Sequence, residues 1–449
     1  MNYKKNLLEK ITDKTAIIGI VGMGYVGRPL AQLSSGAGYK TIGFVRDPKK
    51  AQAINQEKIP NFSSTADKKR LSETNIVLIC VQTPVFKNKK PDLKFLKDAA
   101  AEVGTHIRPG QLVVIESSIA PGTTRNLFLP ILEKSGLVCG KEFFLSFSPE
   151  RVDPGNTKFK LNQIPKVVSG VEENSLEVAF AFYSKIIDKV VPVSSLETAE
   201  LVKIFENTFR LINISLVNQV HEYAKAIGVD MWEVVNAAST KPFGFLAHYP
   251  GPGIGGHCIP VDPYYLLEDA KKYGIELSLI HEAGKINENQ PHKVVARAVE
   301  IISGKVINGA NHNNNYLTND INYNSFRPKL SSIKFGVSRF AQPKKKKVLL
   351  IGVAYKPDVD DFRESPALEI WELFHREGYK VSYFDPFVPL FNGSRSVKLT
   401  DKVIKNHDLV VITTNHSTID YNWLAELNIP ILDTRNVLIS SEKPHIYPL

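Results

Sequence analysis

Cysteine is scarce in this chain of 449 residues, with Cys80, Cys139 and Cys258 the only three. They form no CxxC pair and no cluster at metal-ligand spacing, so neither a disulfide framework nor a metal site is expected, and a reducing compartment, the cytoplasm, fits. Apolar runs long enough to span a bilayer are also missing. The opening residues MNYKKNLLEKITDK carry neither the apolar core nor the small-residue cleavage site of an export signal. A soluble, unexported chain with no membrane partner is expected. Strong charge is lacking too: the net charge is +10, modest for this length, and the basic run Lys344 to Lys347 directly precedes an apolar strand. That run reads as a solvated linker end rather than a nucleic-acid contact, while a mildly positive surface suits a small anionic ligand.

What is present is the composition of a globular protein, 43% hydrophobic and 23% charged, in a chain long enough for two or three domains. The apolar run Thr15 to Val21 enters Gly22-Met23-Gly24-Tyr25-Val26-Gly27 and then a helix-like segment from Pro29. Strand, GxGxxG, helix is the order that a dinucleotide fingerprint requires, because the glycines allow the tight turn and the helix start offers N–H groups to a pyrophosphate. Further strands are expected at Thr41 to Val45, Ile76 to Val81, Leu112 to Glu116 and Phe143 to Phe147, alternating with helical segments as in a doubly wound parallel sheet. Ligands bind at the carboxyl ends of such strands, where Thr83, Ser117, Ser118 and Glu150 fall; each could equally cap the next helix. The carboxylate that would hold an adenosine ribose is expected near position 45, but Val45 stands there. Either Asp47 takes the ribose after a register shift, or Arg46 pairs with a 2′-phosphate and the cofactor is NADP; NAD is the preferred reading.

Leu196 to Ile227 repeats apolar residues at helical spacing up to Gly228, a helix long enough to join two domains. On it Lys203, Asn207 and Arg210 share one face, which a solvated polar stripe would do as well. Next comes GPGIGGHCIPVD, Gly251 to Asp262, which sets Cys258 within backbone shaped by glycine and proline. A tight turn around a buried thiol would look the same. If a helical turn opens at the cysteine, however, thiol and Asp262 carboxylate lie on one side, and a lysine from elsewhere would favour the thiolate. His248 and His257 read as structural.

Residues 302–345 are Asn-rich and low in hydrophobicity, a surface insertion of unassigned role. A second α/β unit then begins at Val348 to Val353, with strands at Lys380 to Phe384, Leu409 to Thr413 and Ile429 to Leu432. Its first strand ends in AYKPDVDDFRESPALEI, where Glu364 and Ser365 would cap a helix and Lys356 and Arg363 supply cations for an anionic ligand. The expected fold is α/β: two Rossmann-like, doubly wound parallel-sheet domains joined by the long central helix and a small helical domain. Its parts would be 1–194, 195–301, the insertion 302–345, and 346–449.

Taken together, IGIVGMGYVGRPLA, TPVFKNKKPDL, IESSIAPGTT, FSPERVDPGN, AELVKIFENTFRLINISLVNQ, GPGIGGHCIPVDPYYL and GVAYKPDVDDFRESPALEI resemble, in this order, the motifs of the UDP-glucose/GDP-mannose dehydrogenase family. The run TKPFGFLAHYPGPGIGGHCIPVDPYYL is most similar to the branch that oxidises C6 of UDP-N-acetylglucosamine; UDP-N-acetylmannosamine and UDP-glucose are the alternatives. The resemblance implies a four-electron oxidation of alcohol to carboxylate with two NAD, through a thiohemiacetal and a thioester on Cys258. It implies oxyanion stabilisation by Lys203 and Asn207, a general base in Glu150, and positioning of the hydrolytic water by Asp262 and Ser118. For the cofactor it implies Gly22, Gly24, Tyr25, Val26, Gly27, Arg46, Asp47, Thr83, Ser117 and Arg363. For a UDP-sugar it implies Arg151, Gly253, Gly255, Gly256 and Lys356, and it implies a homodimer through the central helix. The chain departs from the pattern at Val45, at Gln82, where proline is usual, and at Pro154, where one branch has a second glutamate. A sensor that binds the nucleotide sugar without turnover would share the fold. A two-electron hydroxyacid dehydrogenase would share the first domain and helix, but gives no reason for the cysteine loop.

Overall fold

Short runs of aliphatic residues buried on both faces build the first sheet, as expected where helices cover both sides of parallel strands. The computed structural model describes residues 2–86, 88–151, 159–256, 258–304, 346–438 and 443–449. By its internal contacts the chain forms two units, Met1–Asn213 with His257–Gly284, and Ile214–Gly256 with Lys285–Leu449. Most of the insertion, 305–345, lies outside the described residues.

In the first unit, strands β1 (Ile18–Val21), β2 (Thr41–Phe44), β3 (Phe62–Thr65), β4 (Ile76–Ile79), β5 (Gln111–Ile115), β6 (Phe143–Phe147), β7 (Lys166–Gly170) and β8 (Val190–Pro192) form one sheet in the order 3-2-1-4-5-6-7-8. The order reverses between β1 and β4, the switch point at which a ligand crevice opens. All neighbours run parallel except β6 and β7, which pair Ser146 with Gly170 and Phe147 with Ser169 in antiparallel register. The five strands expected from apolar runs are present with ends shifted by up to three residues. Those not expected carry weak patterns: β3 is FSST, β7 opens on lysine, and β8 has three residues.

The second unit has a parallel five-stranded sheet in the order 10-9-13-14-15. It contains β9 (Lys347–Ile351), β10 (Lys380–Phe384), β13 (Leu409–Ile412), β14 (Ile431–Asp433) and β15 (Ile446–Pro448), with a hairpin of β11 (Leu390–Phe391) and β12 (Ser394–Arg395). Ser365 caps the helix Pro366–Arg376 by accepting from the Ala367 N–H at 3.2 Å. Glu364, expected to share that cap, instead bends the backbone at φ +52°, a left-handed position.

The central helix, Leu196–Ala226, has 31 residues and runs from the first unit into the second. At about 100° per residue, its exposed Leu201, Phe205, Phe209, Leu216, Val220 and Tyr223 fall on one arc, while Lys203 and Asn207 lie roughly opposite. Glu200, fully buried, accepts the N–H groups of Gly122 (2.5 Å) and Thr124 (2.8 Å), which pins the loop after β5 to this helix. Among the described residues no helix is long and apolar enough to cross a membrane.

The glycine turn after β1 makes the fold sensitive at one atom. A Cβ on Gly27 would lie 2.0 Å from the Gly22 carbonyl oxygen, so backbone would have to yield. Gly27→Ala is expected to cost about 1–3 kcal/mol in denaturant unfolding, and a wild-type midpoint would contradict this packing.

Candidate active site

Cys258 is exposed, and its carbonyl accepts the N–H groups of Val261 (3.1 Å) and Asp262 (2.8 Å). The expected turn therefore opens at the cysteine and leads into the helix Asp262–Ala270, started by Pro263. Asp262 is 1% exposed, and Asn207, also buried, donates from Nδ2 to its Oδ2 at 2.6 Å. Burial raises the Asp262 pKa to about 6, against the lowering by the Lys203 charge and by hydrogen bonds from Asn207 and Ser118. Three of the expected catalytic residues, Ser118, Lys203 and Asn207, thus act directly on a fourth, Asp262, one helical turn from Cys258. Arg210, the third residue of the expected polar face, is exposed.

Glu150 belongs to a second cluster, past the carboxyl end of β6. Its Oε1 accepts the Arg151 N–H at 2.8 Å and its Oε2 accepts from Lys166 Nζ at 3.3 Å. Lys166 also donates to Glu116 Oε2 at 2.7 Å, and Tyr183 donates its hydroxyl to Glu116 Oε1. Arg151, expected at the substrate, turns its guanidinium to Glu206 of the central helix and to the Pro165 carbonyl at 3.0 Å.

At the switch point the residues fit a dinucleotide. Gly22 takes φ +99°, and a Cβ on Gly24 would meet nothing within 4 Å, so open space lies where a pyrophosphate approaches the backbone. The helix Gly27–Gly36 begins at Val26 without a side-chain cap, and although Arg28 N–H is bonded to the Gly24 carbonyl at 3.0 Å, the positive end of the helix faces a ligand with no side chain in the way. Tyr25 is 45% exposed beside them. Thr83 is buried and hydrogen-bonded to Tyr265, and the Ser117 hydroxyl donates to the Val81 carbonyl at 2.7 Å. Ser117 ties the ends of β5 and β4 together, and Thr83 ties the segment after β4 to the helix Asp262–Ala270. Val45 is buried; Asp47 caps the next helix through the Lys49 N–H at 2.9 Å and remains exposed. Arg46 is drawn to Asp98 at 3.2 Å and over the Phe95 ring at 5.1 Å. An acidic partner at that spot disfavours a 2′-phosphate, which supports NAD over NADP.

In the second unit the glycine loop packs on its own surroundings. Gly251 N–H donates to Asn218 Oδ1 at 2.9 Å and Ile254 N–H to Asn287 Oδ1 at 2.6 Å. A Cβ on Gly255 would lie 2.8 Å from Tyr355 Cβ, and one on Gly256, at φ +86°, would lie 2.9 Å from the Tyr355 ring. The two glycines therefore permit a contact no other residue could make; Gly253 adopts φ +126°. Lys356 follows Tyr355, half-buried. Arg363 forms a two-pronged pair with Asp361 at 2.8 and 2.9 Å. Sequence reasoning missed Arg435, whose Nη1 would lie 3.1 Å from a Cβ on Gly251 and whose Nε donates to the Thr413 carbonyl at 2.8 Å. Burial lowers its pKa to about 10. Its place just past β14, at a carboxyl strand end, was the available clue.

The second unit is not a second dinucleotide site of the usual kind. Asp385, past the end of its second strand, stands where a ribose carboxylate would be, but both oxygens are taken. Oδ2 accepts from Val353 N–H (2.7 Å), Ala354 N–H (3.0 Å) and His416 Nε2 (3.0 Å), and Oδ1 from Phe387 N–H (2.9 Å) and Val388 N–H (3.0 Å). His416 Nδ1 accepts the Asp358 N–H, so its proton sits on Nε2.

Sequence comparison matches residues 16–187 to the NAD binding domain of the UDP-glucose/GDP-mannose dehydrogenase family, 197–289 to its central domain and 349–440 to its UDP binding domain. The chain is 30% identical over 444 residues to the UDP-N-acetyl-D-mannosamine dehydrogenase of Pyrococcus horikoshii, covering 94% of this chain and 96% of that one. It is 29% identical over 418 residues to the UDP-N-acetyl-D-glucosamine 6-dehydrogenase of Pseudomonas aeruginosa, covering 89% and 90%. The solved UDP-D-ManNAc dehydrogenase from P. horikoshii superposes with a TM-score of 0.80 at 29% identity, over 96% of this chain and 98% of that one.

The buried Asp262 makes a pH-dependent prediction. Its folded pKa, about 6, lies above the ordinary value of 3.8, so its contribution to stability is full below about pH 4 and is lost as pH rises through 6. Asp262→Asn cannot ionise and is expected to be more stable than wild type by about 1–3 kcal/mol above pH 7, with the difference vanishing near pH 4, and to turn over slowly. Thermal unfolding across that range checks it; a gap independent of pH would contradict the assignment.

Proposed function

The chain belongs to the UDP-glucose/GDP-mannose dehydrogenase family, and from that premise we propose that it oxidises C6 of a UDP-N-acetylhexosamine from alcohol to carboxylate. The observation that carries the reading is the Cys258 turn, whose Asp262 is bound by Asn207 and felt by Lys203 and Ser118. In this reading residues 1–194 hold NAD, 195–301 supply the reacting side chains, and 346–449 hold the UDP moiety.

NAD, which Gly22, Gly24, Tyr25, Val26 and Gly27 would hold, would supply the hydride acceptor for both oxidations, four electrons in all. Glu150 takes the C6 hydroxyl proton in the first, yielding the aldehyde. Cys258 thiolate adds to the aldehyde carbon, a C–S bond forms, and the carbonyl oxygen becomes an oxyanion opposite Lys203 Nζ and the Asn207 amide. Protonated, this is a thiohemiacetal. The second oxidation removes the C6 hydrogen and the hydroxyl proton and leaves a thioester. Water, oriented by Asp262 and Ser118, attacks its carbon, the C–S bond breaks, and carboxylate and thiol are released. Gly253, Gly255, Gly256, Lys356 and Arg435 bind the nucleotide sugar, and the nucleotide-sensor alternative has no use for the Asp262 cluster.

Two epimers are in question. The TKPFGF run supports N-acetylglucosamine, and a relative of that name shares 29% identity; relatives named for N-acetylmannosamine, at 27–30%, support the other epimer. A panel of UDP- and GDP-sugars decides. The highest kcat/KM is expected for one of the two UDP-N-acetylhexosamines, and a preference for UDP-glucose or GDP-mannose would overturn the N-acetyl reading.

The same enzyme is proposed to be a homodimer through the central helix. Its exposed arc of Leu201, Phe205, Phe209, Leu216, Val220 and Tyr223 is a larger apolar stripe than a helix leaves to water.

Two reduced cofactors per sugar consumed are expected, and Cys258→Ala should lower acid production by a factor of about 10³ or more; one reduced cofactor per sugar, or undiminished acid from the variant, would sink the mechanism. In sedimentation velocity the wild type should run as a dimer and Phe205→Glu/Leu216→Glu as a monomer. A dimer that survives both charges would place the interface elsewhere.

A further inference from the structure

The cluster behind Glu150 is buried more deeply than a surface ion pair and is unused by the chemistry so far. Its geometry follows from the one antiparallel pairing in the first sheet. Strands β6 and β7 pair Ser146 with Gly170 and Phe147 with Ser169; continued, that register sets Glu150 opposite Lys166. A parallel strand in the same place would have started at the amino ends of β5 and β6. Because β7 runs backwards, its first residue, Lys166, arrives at the carboxyl ends of β5 and β6, the end where ligands bind.

There the Lys166 ammonium is shared. It donates to Glu116 Oε2 at 2.7 Å, to Glu150 Oε2 at 3.3 Å and to the Pro149 carbonyl at 3.3 Å, and it lies 5.1 Å over the Tyr183 ring. The side chains of Lys166, Glu116 and Glu150 are 4%, 0% and 7% exposed. From the helix Glu173–Tyr183, Tyr183 donates its hydroxyl to Glu116. From the end of β4, Cys80 contributes a thiol whose pKa burial, Glu116 and Glu150 push up, so it stays neutral. From the central helix, Glu206 faces the cluster already paired with Arg151. One cation therefore serves two buried carboxylates, and both cannot be ionised cheaply.

We propose that Lys166 and Glu116 are positioning residues for Glu150: the Lys166 ammonium holds the Glu150 carboxylate at the strand ends, and Glu116 competes for the same ammonium. This rests on Glu150 acting as the base in the reading above. Burial raises the Glu116 pKa above the carboxylate range, Lys166 opposing and Glu150 adding to the rise, while the two carboxylates keep Lys166 charged despite its burial. Of the two carboxyls on this ammonium, Glu116 is the one that burial drives toward its neutral form.

The test is the pH profile of kcat for acid formation in four variants, with NAD affinity as the check on folding. Lys166→Met leaves two carboxylates without a cation, and the acidic limb should move up by about one pH unit or more, about tenfold in rate on the limb. Glu116→Gln leaves the ammonium to Glu150 alone and should move the limb down. Lys166→Arg keeps the charge and should hold the limb near its wild-type place. Infrared spectra of the ligand-free protein provide a readout apart from turnover: near pH 6 the protonated-carboxyl absorption, to which Asp262 and Glu200 also contribute, should be weaker in Glu116→Gln than in wild type. Should Lys166→Met fail to fold, Glu116→Gln and the infrared band carry the test. An unmoved limb and an unchanged band, with Glu150→Gln crippled, would overturn the relay and leave the role of Glu150 standing. Wild-type turnover in Glu150→Gln would overturn both.

Discussion

The cysteine turn of the first unit hangs on one hydrogen bond, from Asn207 of the central helix to the buried Asp262 at the head of the helix Asp262–Ala270. Asp262 lies one turn after Cys258, whose carbonyl it closes, so fixing the carboxylate fixes the backbone that presents the thiol. Burial makes the ionised form of Asp262 costly, and Asn207, Ser118 and the Lys203 charge offset only part of that cost. Such an arrangement exchanges stability for a poised carboxylate. The central helix can serve it because its opposite arc is apolar and carries no part of the site.

Both units use one architecture for different ends. In the first, the turn after β1 leaves open space over Gly24 and an uncapped helix start, the conditions for binding a pyrophosphate. In the second, the corresponding carboxylate, Asp385, is used up by four backbone N–H groups and His416. The His416 bond and these N–H groups outweigh burial and keep the Asp385 pKa below the usual range. The loops around β9 are thereby fastened, and in the proposed function ligand recognition passes to the glycine loop against Tyr355 and to Arg435. A shared fold thus does not imply a shared ligand.

Much of this was legible in the sequence because local chemistry carries it. Gly22 to Gly27 follows an apolar strand and opens a helix; Lys203 and Asn207 recur at helical spacing; Cys258 sits four residues before Asp262. Tertiary contacts hid the rest. Nothing local to Lys166 reveals that its strand runs backwards, since a short strand beginning KVV carries no mark of direction. Glu116 reads as the end of an apolar run until Lys166 arrives from 50 residues away. Arg435 becomes a candidate only when Gly251 packs beside it. In the other direction, the spacing of Arg210 suggested a third partner for Lys203 and Asn207, but the helix turns it to solvent.

The proposed mechanism stands or falls on a carbon–sulfur bond at Cys258. Rapid-quench mass spectrometry of the enzyme mixed with NAD and a UDP-N-acetylhexosamine tests it directly. A transient adduct of sugar-nucleotide mass on the Cys258 peptide, forming and decaying as acid appears, is the predicted result. Acid accumulating with no adduct on that peptide at any time, in the wild type and in the slowed Asp262→Asn variant alike, would contradict it.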